Sequence, residues 1–436
     1  MRLSVIGSGY AGMVTAACLA SLGHSVTCVD AVKAKVDLVN SGRPPVFEPG
    51  LAEMMARSLR EGRLRATTDL ASAVLGSDAS FICVGTPEGG DGSCDLSSVF
   101  KVAAEIGKAL KAKPEFHVII VKSTVPPGTS AEVARIIGKE SGKKAGKGFG
   151  VCMNPEFLKE GGAIADFMAP DRIVIGAEGA RELSLAKSLY SNFSAPIIET
   201  DLKTAEMIKY ASNAFLAAKV SFINEIGNAC EKLGIDVYAV AEGMGRDKRI
   251  GRLFLNAGAG FGGSCFGKDV KSLSHVAGKA GARTAILDAA ISVNDSQPLR
   301  VVELLKEGLK ELKGKRIAIL GLSFKPDTDD MRDAPSVKII NSLLAQGAII
   351  TAFDPQAMNN AKKIFGSRLT FAESASSALS GADACAILTE WQEFSGLSAE
   401  DFRKMGNPFV VEGRKILKDT KMNGVKYRGI GRIPYG

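Results

Sequence analysis

Short apolar runs alternate with longer amphipathic stretches along the first part of the chain. An apolar run at residues 3–6 ends in a glycine-rich turn, and a helical pattern then covers residues 10–22 and ends at Gly23. A second apolar run at residues 25–29 closes on Asp30. Strands that alternate with helices in this way predict a parallel, doubly wound α/β sheet. Further strands are predicted at residues 80–84, 118–121, 151–153 and 173–175, and a lysine- and glycine-rich surface loop at residues 139–148.

The pattern changes in the middle of the chain, where residues 204–233 contain no proline and no strand pattern. A helix over this stretch would span roughly 45 Å, at about 1.5 Å rise per residue. Helices of this length usually join domains or form a subunit interface. More helix is predicted to follow, to about Glu311.

The opening pattern returns near residue 317, where an apolar run again ends at a glycine. A helix is predicted at residues 336–346 and a strand at residues 348–353, which closes on Asp354 as the first copy closes on Asp30. We therefore expect two related α/β domains on either side of a helical middle, divided as residues 1–200, 201–311 and 312–436. The second copy reads Ser-Phe-Lys-Pro at residues 323–326 in place of the glycine triplet, so we do not expect it to bind a dinucleotide in the same way.

The glycine-rich turn after the first strand has the spacing of a dinucleotide-binding site. Residues 7–12 read Gly-Ser-Gly-Tyr-Ala-Gly, between a predicted strand and a predicted helix. Gly7 would make the tight turn, Gly9 would admit a pyrophosphate close to the backbone, and Gly12 would let helix and strand pack closely. Asp30 would accept a hydrogen bond from a ribose 2′-hydroxyl and repel a 2′-phosphate, which favours NAD over NADP. Lys35 either covers the adenosine side or is a solvated helix lysine.

Composition excludes several classes of protein. The 436 residues are 46% hydrophobic and 23% charged, which is ordinary for a globular chain of two or three domains. No stretch reaches the roughly 18 uncharged apolar residues of a membrane-spanning helix, and no secretory signal is visible. The eight cysteines lack closely spaced pairs, so we expect a cytoplasmic protein without a disulfide framework. His24, His117 and His275 lie far apart, so we expect no metal centre and no histidine acid–base chemistry.

The net charge of +8 is unevenly distributed. Residues 401–436 hold nine Lys or Arg against three Asp or Glu, an excess of six. This segment is either a solvated basic tail or a surface that faces a phosphate-bearing ligand. Nucleic acid is a weaker candidate, because no basic run is interleaved with aromatic residues.

Three segments follow predicted strands and carry polar residues where ligands of open α/β sheets bind. Thr86 lies in a Gly-Thr-Pro turn, and Thr124 lies in the run Lys-Ser-Thr-Val-Pro-Pro-Gly. Turn chemistry from proline and glycine is the structural alternative at both places. Glu156 and Glu160 stand four residues apart after another strand, in a segment that could equally be an ordinary helix start.

Two further segments lie in the helical middle. Lys209 and Asn213 share one face of the long helix, although such a pair is common and unspecific. Cys265 lies in the glycine-rich stretch 260–269, just before a helical pattern. A helix N-terminus and the neighbouring Lys268 would lower the pKa of the thiol and make it a nucleophile. A lone cysteine is usually an inert buried residue, but this loop favours the nucleophile.

Taken together, these motifs resemble those of the UDP-glucose/GDP-mannose dehydrogenase family of nucleotide-sugar dehydrogenases, over nearly the whole chain. In order, the motifs read GSGYAG, VGTP, KSTVPPGT, NPEFLKEG, KYASNAFLA, FGGSCFGKD, LSFKPDTDDMR and EGRKI. The resemblance implies two Rossmann-like doubly wound domains joined by a helical domain that carries the dimer interface and the cysteine loop. It assigns NAD to the first domain and a UDP-sugar to the third. It also implies a four-electron oxidation of a primary alcohol to a carboxylate, with two NAD used in turn.

The resemblance also implies roles for individual residues. Cys265 would form a thiohemiacetal and then a thioester, and Glu156, helped by Thr124, would activate the water that hydrolyses it. Lys209 and Asn213 would lie near the reacting oxygen of the sugar, and Asp269 near the thiol. The implied cofactor-side residues are Gly7, Gly9, Tyr10, Ala11, Gly12, Asp30, Lys35, Thr86, Thr124, Glu160, Lys268 and Arg332. The implied substrate-side residues are Glu156, Phe157, Leu158, Lys209, Asn213, Arg249, Asn256, Phe261, Gly262, Lys325 and Arg414.

Arg249 matches an arginine that the family donates from a neighbouring subunit, which implies at least a homodimer. The sequence departs from the family at Gly267, where proline is frequent, and at Glu412, where aspartate is usual. The match around Arg249 and around the cysteine loop favours UDP-glucose as the substrate, with GDP-mannose or UDP-N-acetylmannosamine as the alternatives. A sensor of NAD or of a nucleotide-sugar would have lost Cys265, Lys209 or Glu156, all of which are present. We expect neither a membrane nor a nucleic acid as a partner.

Overall fold

A computed structural model describes residues 1–417 and 424–433 of the chain. The chain separates into two compact units, Met1–Ser212 and Asn213–Gly436. The predicted three-domain division at residues 200 and 311 stays a prediction.

The first unit is built on an eight-stranded sheet with the order β3-β2-β1-β4-β5-β6-β7-β8. Its first six strands have the doubly wound order of a dinucleotide-binding fold. The sheet is parallel except between β6 and β7, where Cys152 pairs with Ala177 in antiparallel register. The strands are β1 (Arg2–Ile6), β2 (Ser25–Val29), β3 (Leu64–Thr67), β4 (Ala79–Ile82), β5 (His117–Val121), β6 (Phe149–Met153), β7 (Ile173–Ala177) and β8 (Ile197–Thr200).

Helices cover both faces of this sheet, because its central strands are apolar on both sides. The helix after the glycine turn is rich in alanine and buried from Gly12 to Ala20, so it packs closely on the strands. The helices are α1 (Tyr10–Ser21), α2 (Lys33–Asn40), α3 (Leu51–Arg60), α4 (Leu70–Leu75), α5 (Ser97–Leu110), α6 (Thr129–Ser141), α7 (Ala163–Met168) and α8 (Ala180–Ser188). The long helix α9 (Leu202–Leu233) follows β8 and confirms the continuous helix predicted at residues 204–233.

The second unit begins with helices and ends in a six-stranded parallel sheet of the order β11-β10-β9-β12-β13-β14. This order repeats the doubly wound arrangement of the first unit, which confirms the predicted pair of α/β folds. Its strands are β9 (Arg316–Leu320), β10 (Ile349–Phe353), β11 (Thr370–Phe371), β12 (Ala384–Ile387), β13 (Phe409–Glu412) and β14 (Lys426–Gly429). Its helices after α9 are α10 (Val237–Gly245), α11 (Phe266–Lys279), α12 (Ala285–Leu309), α13 (Pro335–Ala345), α14 (Met358–Phe365), α15 (Ala375–Leu379), α16 (Gln392–Ser395) and α17 (Ala399–Phe402).

Some sequence expectations need correction. The stretch 139–148 is not a loop throughout, because α6 continues to Ser141 before the chain turns. The first sheet is not wholly parallel, since β7 runs against β6. The strands β3, β8, β11, β12, β13 and β14 were not predicted, because they are short and several lack alternating polar and apolar positions.

In the second copy of the strand–turn–helix pattern, the carboxylate that follows the second strand is hydrogen-bonded within the protein. The carboxylate of Asp354, which follows β10, accepts hydrogen bonds from the backbone N–H groups of Leu322 and Ser323 and from the indole of Trp391. Asp354 is 1% exposed, whereas its counterpart Asp30 is partly exposed. This saturation gives a physical reason to expect that the second copy does not bind a dinucleotide in the same way.

Two further features bear on the environment of the protein. None of the helices in residues 1–417 and 424–433 is long and apolar enough to cross a membrane. No disulfide links any of the eight cysteines, all of which lie within the described residues. The basic segment 401–436, which the sequence analysis identified by its excess of positive charge, is described only in part. Its Lys418 and Lys421 lie outside the described residues.

Candidate active site

The three glycines of the first turn meet different physical demands. Gly7 has φ of +105°, and a Cβ there would lie 2.6 Å from the carbonyl oxygen of Cys83. A Cβ on Gly12 would lie 1.9 Å from the carbonyl oxygen of Gly7, so only glycine fits between helix and strand. A Cβ on Gly9 would meet no protein atom within 4 Å. The open space at Gly9, at the N-terminus of α1, suits a pyrophosphate, and the turn therefore fits NAD.

Asp30 stands at the carboxyl end of β2 and is tied to this turn. Its Oδ2 accepts hydrogen bonds from the N–H of Ser8 at 2.9 Å and from the Ser8 hydroxyl at 2.5 Å. Burial would raise the pKa of Asp30, but the bonds from Ser8 and from the N–H of Val32, with the charge of Lys35, lower it. The ammonium of Lys35 lies 3.8 Å from Asp30. An ionised carboxylate here suits the predicted contact with a ribose hydroxyl.

Thr86 and Thr124 meet at the carboxyl edge of the sheet, beyond β4 and β5. The hydroxyl of Thr86 donates to the carbonyl oxygen of Thr124 over 2.9 Å. The structure therefore brings together two of the predicted residues from separate motifs. Parallel neighbouring strands explain this, because their carboxyl ends lie at one edge.

Glu156 and Lys209 form a buried ion pair in the first unit. Lys209 Nζ lies 3.0 Å from Glu156 Oε1, and the two side chains are 4% and 11% exposed, respectively. The other oxygen of Glu156 accepts the N–H of Leu158 at 2.6 Å. Burial would raise the pKa of Glu156, but the charge and hydrogen bond of Lys209, the N–H of Leu158 and the charge of Lys122 together lower it further than burial raises it. Glu156 is therefore ionised at neutral pH, as an acceptor of protons from water must be.

Phe157 is held by cations from other parts of the chain. The guanidinium of Arg172 lies 3.7 Å from the centre of its ring, and Lys209 Nζ lies 5.5 Å from it. Arg172 was not predicted from the sequence, because a single arginine before a strand belongs to no recognisable motif. Cation–π contacts of this kind fix the orientation of the ring.

A second buried lysine, Lys122, anchors Asn154, which begins the loop that carries Glu156 and Phe157. Its Nζ donates to Oδ1 of Asn154 over 3.0 Å, and Oδ1 also accepts the hydroxyl proton of Tyr190 at 2.5 Å. Burial lowers the pKa of Lys122 to about 8. Sequence reasoning treated Lys122 only as part of a turn, since burial of a lysine cannot be seen in the sequence.

Tyr10 belongs to the dinucleotide turn, and Glu160 lies near enough for its charge to act on the Tyr10 phenol. Burial raises the pKa of the Tyr10 phenol, and its hydrogen bond to Glu48 and the charge of Glu160 raise it further. Tyr10 and Ala11 are half-buried in the first turn of α1. Glu48 was not predicted, because a lone glutamate in a loop gives no signal.

In the second unit, Cys265 occupies the N-cap position of α11, as the sequence predicted. The half-buried thiol lies 3.6 Å from the hydroxyl of Ser264. Asp269, in the first turn of α11, is 1% exposed and accepts a hydrogen bond from the side-chain amide of Asn213 at 2.7 Å. Lys268 pairs with Asp269 at 2.5 Å. The structure thus joins Asn213, Lys268 and Asp269 into one cluster beside the cysteine turn.

Four predicted substrate-side residues line cavities of the second unit. Asn256 and Arg414 line a cavity of about 610 Å³, together with Lys415. Phe261 and Gly262 line a second cavity of about 450 Å³. Arg414 also donates to the carbonyl oxygen of Gly260, which ties the stretch before the cysteine to β13 and its following loop.

The remaining predicted residues are cations near the surface. Arg249 is 88% exposed and pairs with Asp247, and Arg332 is 64% exposed and pairs with Asp330. Lys325 is half-buried, with its ammonium 5.6 Å from the ring centre of Phe324. Of these three residues, Arg332 accepts the N–H of Gly263, in the cysteine loop, with its backbone carbonyl oxygen at 2.8 Å. Their assigned roles stay predictions.

Comparison with known proteins places all three regions of the chain in one family. Residues 1–194 match the NAD binding domain of the UDP-glucose/GDP-mannose dehydrogenase family, residues 203–296 match its central domain, and residues 318–419 match its UDP binding domain. The UDP-glucose 6-dehydrogenase AglM of Haloferax volcanii is 42% identical over 436 residues, covering 99% of this chain and 100% of that protein.

Solved structures agree with these matches. The UDP-glucose dehydrogenase of Pyrobaculum islandicum superposes with a TM-score of 0.93 at 42% identity, over 99% of this chain and 97% of that one. The UDP-D-ManNAc dehydrogenase of Pyrococcus horikoshii superposes with a TM-score of 0.87 at 28% identity, over 99% of each chain. The similarity therefore extends over the whole chain and is greater to the first of these two proteins.

Proposed function

Because the chain belongs to the UDP-glucose/GDP-mannose dehydrogenase family and is an NAD-dependent oxidoreductase, we propose that it oxidises UDP-glucose to UDP-glucuronate. The observation that carries this proposal is the position of Cys265 at the N-cap of α11, beside the Asp269 cluster. Similarity over the full chain to proteins named UDP-glucose dehydrogenases supports the choice of sugar.

The proposed reaction uses the residues of this chain in three ways. Lys209, an ammonium held by Glu156, supplies positive charge to the alkoxide that forms at the sugar, and Asn213 contributes an amide donor. The Cys265 thiolate adds to the aldehyde carbon, which gives a thiohemiacetal, and its oxidation gives a thioester. Water then attacks the thioester, Glu156 accepts the proton, and the acid leaves as the thiolate is restored.

NAD, when bound, accepts one hydride in each of the two oxidations. The glycine turn at residues 7–12 would hold the pyrophosphate, and the ionised Asp30 would hold the ribose and disfavour NADP. The remaining predicted cofactor-side residues keep their proposed roles, among them Thr86, Thr124, Glu160 and Arg332.

The test is to count NADH released per sugar consumed with UDP-glucose, UDP-N-acetylmannosamine and GDP-mannose as substrates. We expect two NADH per UDP-glucose and a clear preference for that sugar. One NADH per sugar would contradict the double oxidation. A preference for one of the other sugars would keep the chemistry and replace the substrate.

We also propose that the protein acts in the cytoplasm as a homodimer or a higher homo-oligomer. The exposed Arg249, together with Phe215 and Phe222 at 67% and 50% exposure on α9, supports an interface between copies. The absence of disulfides among the eight described cysteines suits a reducing compartment. The proposed domains are 1–200 for NAD, 201–311 for the cysteine loop and the dimer interface, and 312–436 for the UDP-sugar. Analytical ultracentrifugation of the full chain tests the oligomeric state.

A further inference from the structure

Glu48 is a buried carboxylate that joins two distant segments of the first unit. It is 5% exposed and lies just before α3. Tyr10 donates its hydroxyl proton to Oε2 of Glu48, and the N–H of Gly161 donates to the same oxygen over 2.7 Å. The N–H of Ala163 donates to Oε1 over 2.7 Å. Both oxygens of Glu48 are thus occupied by donors from elsewhere in the chain.

The two segments that meet at Glu48 carry different parts of the proposed chemistry. Tyr10 follows Gly9 directly in the dinucleotide turn. Gly161 and Ala163 close the loop that begins at Asn154 and carries Glu156. The N–H of Gly161 also lies 3.0 Å from the hydroxyl oxygen of Tyr10, so the two segments touch directly as well as through the carboxylate.

The loop of residues 154–162 is therefore anchored at both ends. Asn154 is held at one end by Lys122 and Tyr190, and Glu48 holds the other end. Hydrogen bonds to an ionised group are stronger than neutral ones, and they strengthen further when water is excluded. Loss of the Glu48 carboxylate would leave the N–H of Ala163 without its acceptor and the N–H of Gly161 with only the Tyr10 hydroxyl, which is costly for buried groups.

We propose that Glu48 is a positioning residue that ties the loop carrying Glu156 to the dinucleotide turn, so that an occupied cofactor site holds this loop still. Glu48 itself contacts Tyr10 and the loop backbone and acts through them. The role of Glu156 rests on the proposed function, whereas the link between cofactor and loop does not.

The experiment measures amide hydrogen exchange in the full chain with and without saturating NADH. In the wild-type protein we expect NADH to slow exchange in residues 154–163. In Glu48→Gln, where an amide nitrogen replaces one acceptor oxygen, we expect faster exchange in this loop and no response to NADH. The dissociation constant for NADH, read from its fluorescence, should rise about tenfold.

Two further variants separate positioning from general stability. Tyr10→Phe removes the tie to the turn but leaves the loop bonded to Glu48, so exchange without NADH should match the wild type while the response to NADH is lost. Glu182→Gln alters another buried glutamate, 3% exposed on α8 beside Gly150 at the start of β6, and should leave the NADH response unchanged.

Three outcomes would overturn the proposal: no response of the loop to NADH in the wild type, a response that persists in Glu48→Gln, or a response that is equally lost in Glu182→Gln. Turnover with UDP-glucose adds an independent arm, in which kcat of Glu48→Gln should fall about tenfold. If the wild type does not oxidise UDP-glucose, the proposed function fails, and the exchange measurements still decide the role of Glu48.

Discussion

The ion pair between Glu156 and Lys209 permits a quantitative prediction. Replacing Lys209 with methionine keeps the length and the apolar stem of the side chain but removes the charge that lies 3.0 Å from Glu156. Glu156 would remain buried without its partner. Breaking a buried pair in this way typically costs about 3–5 kcal/mol of unfolding free energy. We expect a loss of that size at pH 7.

The loss should depend on pH in a defined direction. In the wild type the pKa of Glu156 is lowered, so its contribution is present above about pH 4.3, the usual value for a glutamate, and is lost as the pH falls through the lowered pKa. In Lys209→Met, burial is opposed only by the N–H of Leu158 and the charge of Lys122, so we expect the pKa of Glu156 to rise. The variant should then lose stability as the pH rises from about 4.3 to 7. The total loss should be about 1.4 kcal/mol for each unit by which the pKa of Glu156 is raised.

The assay is urea unfolding read by hydrogen exchange in peptides from residues 1–212. The tryptophan signal is unsuitable, because the single tryptophan, Trp391, belongs to the other unit. Lys203→Met, which alters an exposed lysine in the first turn of α9, is the matched control. The double variant Glu156→Gln/Lys209→Met should recover much of the loss, because neither charge of the pair is left without the other. A loss below about 1 kcal/mol at pH 7, typical of an exposed pair, or one that is equal at pH 4.3 and 7, would refute this reasoning.

Three further predictions concern the cofactor turn and the thiol. Gly12→Ala should destabilise the protein, because its Cβ would lie 1.9 Å from a carbonyl oxygen, whereas Gly9→Ala should keep the thermal midpoint and lose NADH affinity. Equal midpoints for the two variants, by calorimetry, would contradict this. Asp30→Ala should weaken NAD more than NADP in a fluorescence titration, and equal losses would count against the ribose contact. Cys265→Ser and Cys265→Ala should block completion of the oxidation, and full conversion to the acid by Cys265→Ala, seen by mass spectrometry, would defeat the nucleophile assignment.

Much of the fold could be predicted from periodicity and turn residues. Both strand–glycine–helix units were found, and the strand closing on Asp30 and the strand closing on Asp354 were correctly matched as copies. The short edge strands β3 and β11 were missed, because few residues in them form a recognisable pattern. The reversal at β7 was also missed, because the residues of a strand do not encode its direction relative to a neighbour.

For the candidate site, too, the sequence predicted features that depend on neighbouring residues and missed contacts between distant ones. Local order along the chain was enough to identify the glycine turn and the cysteine at the start of α11, because spacing and helix capping are properties of neighbouring residues. The partners of Glu156 and of Asp269 could not be predicted, because Lys209 and Asn213 reach them only when distant segments pack together.

The sequence alone therefore determined the doubly wound architecture, the cofactor turn and the family to which the chain belongs. The tertiary structure decided which charges are buried and what they face, as the carboxylate of Glu48 between Tyr10 and Gly161 shows. The physical reason is that burial and pairing of ionisable groups depend on contacts between residues far apart in the chain, whereas periodicity and turn chemistry depend on near neighbours.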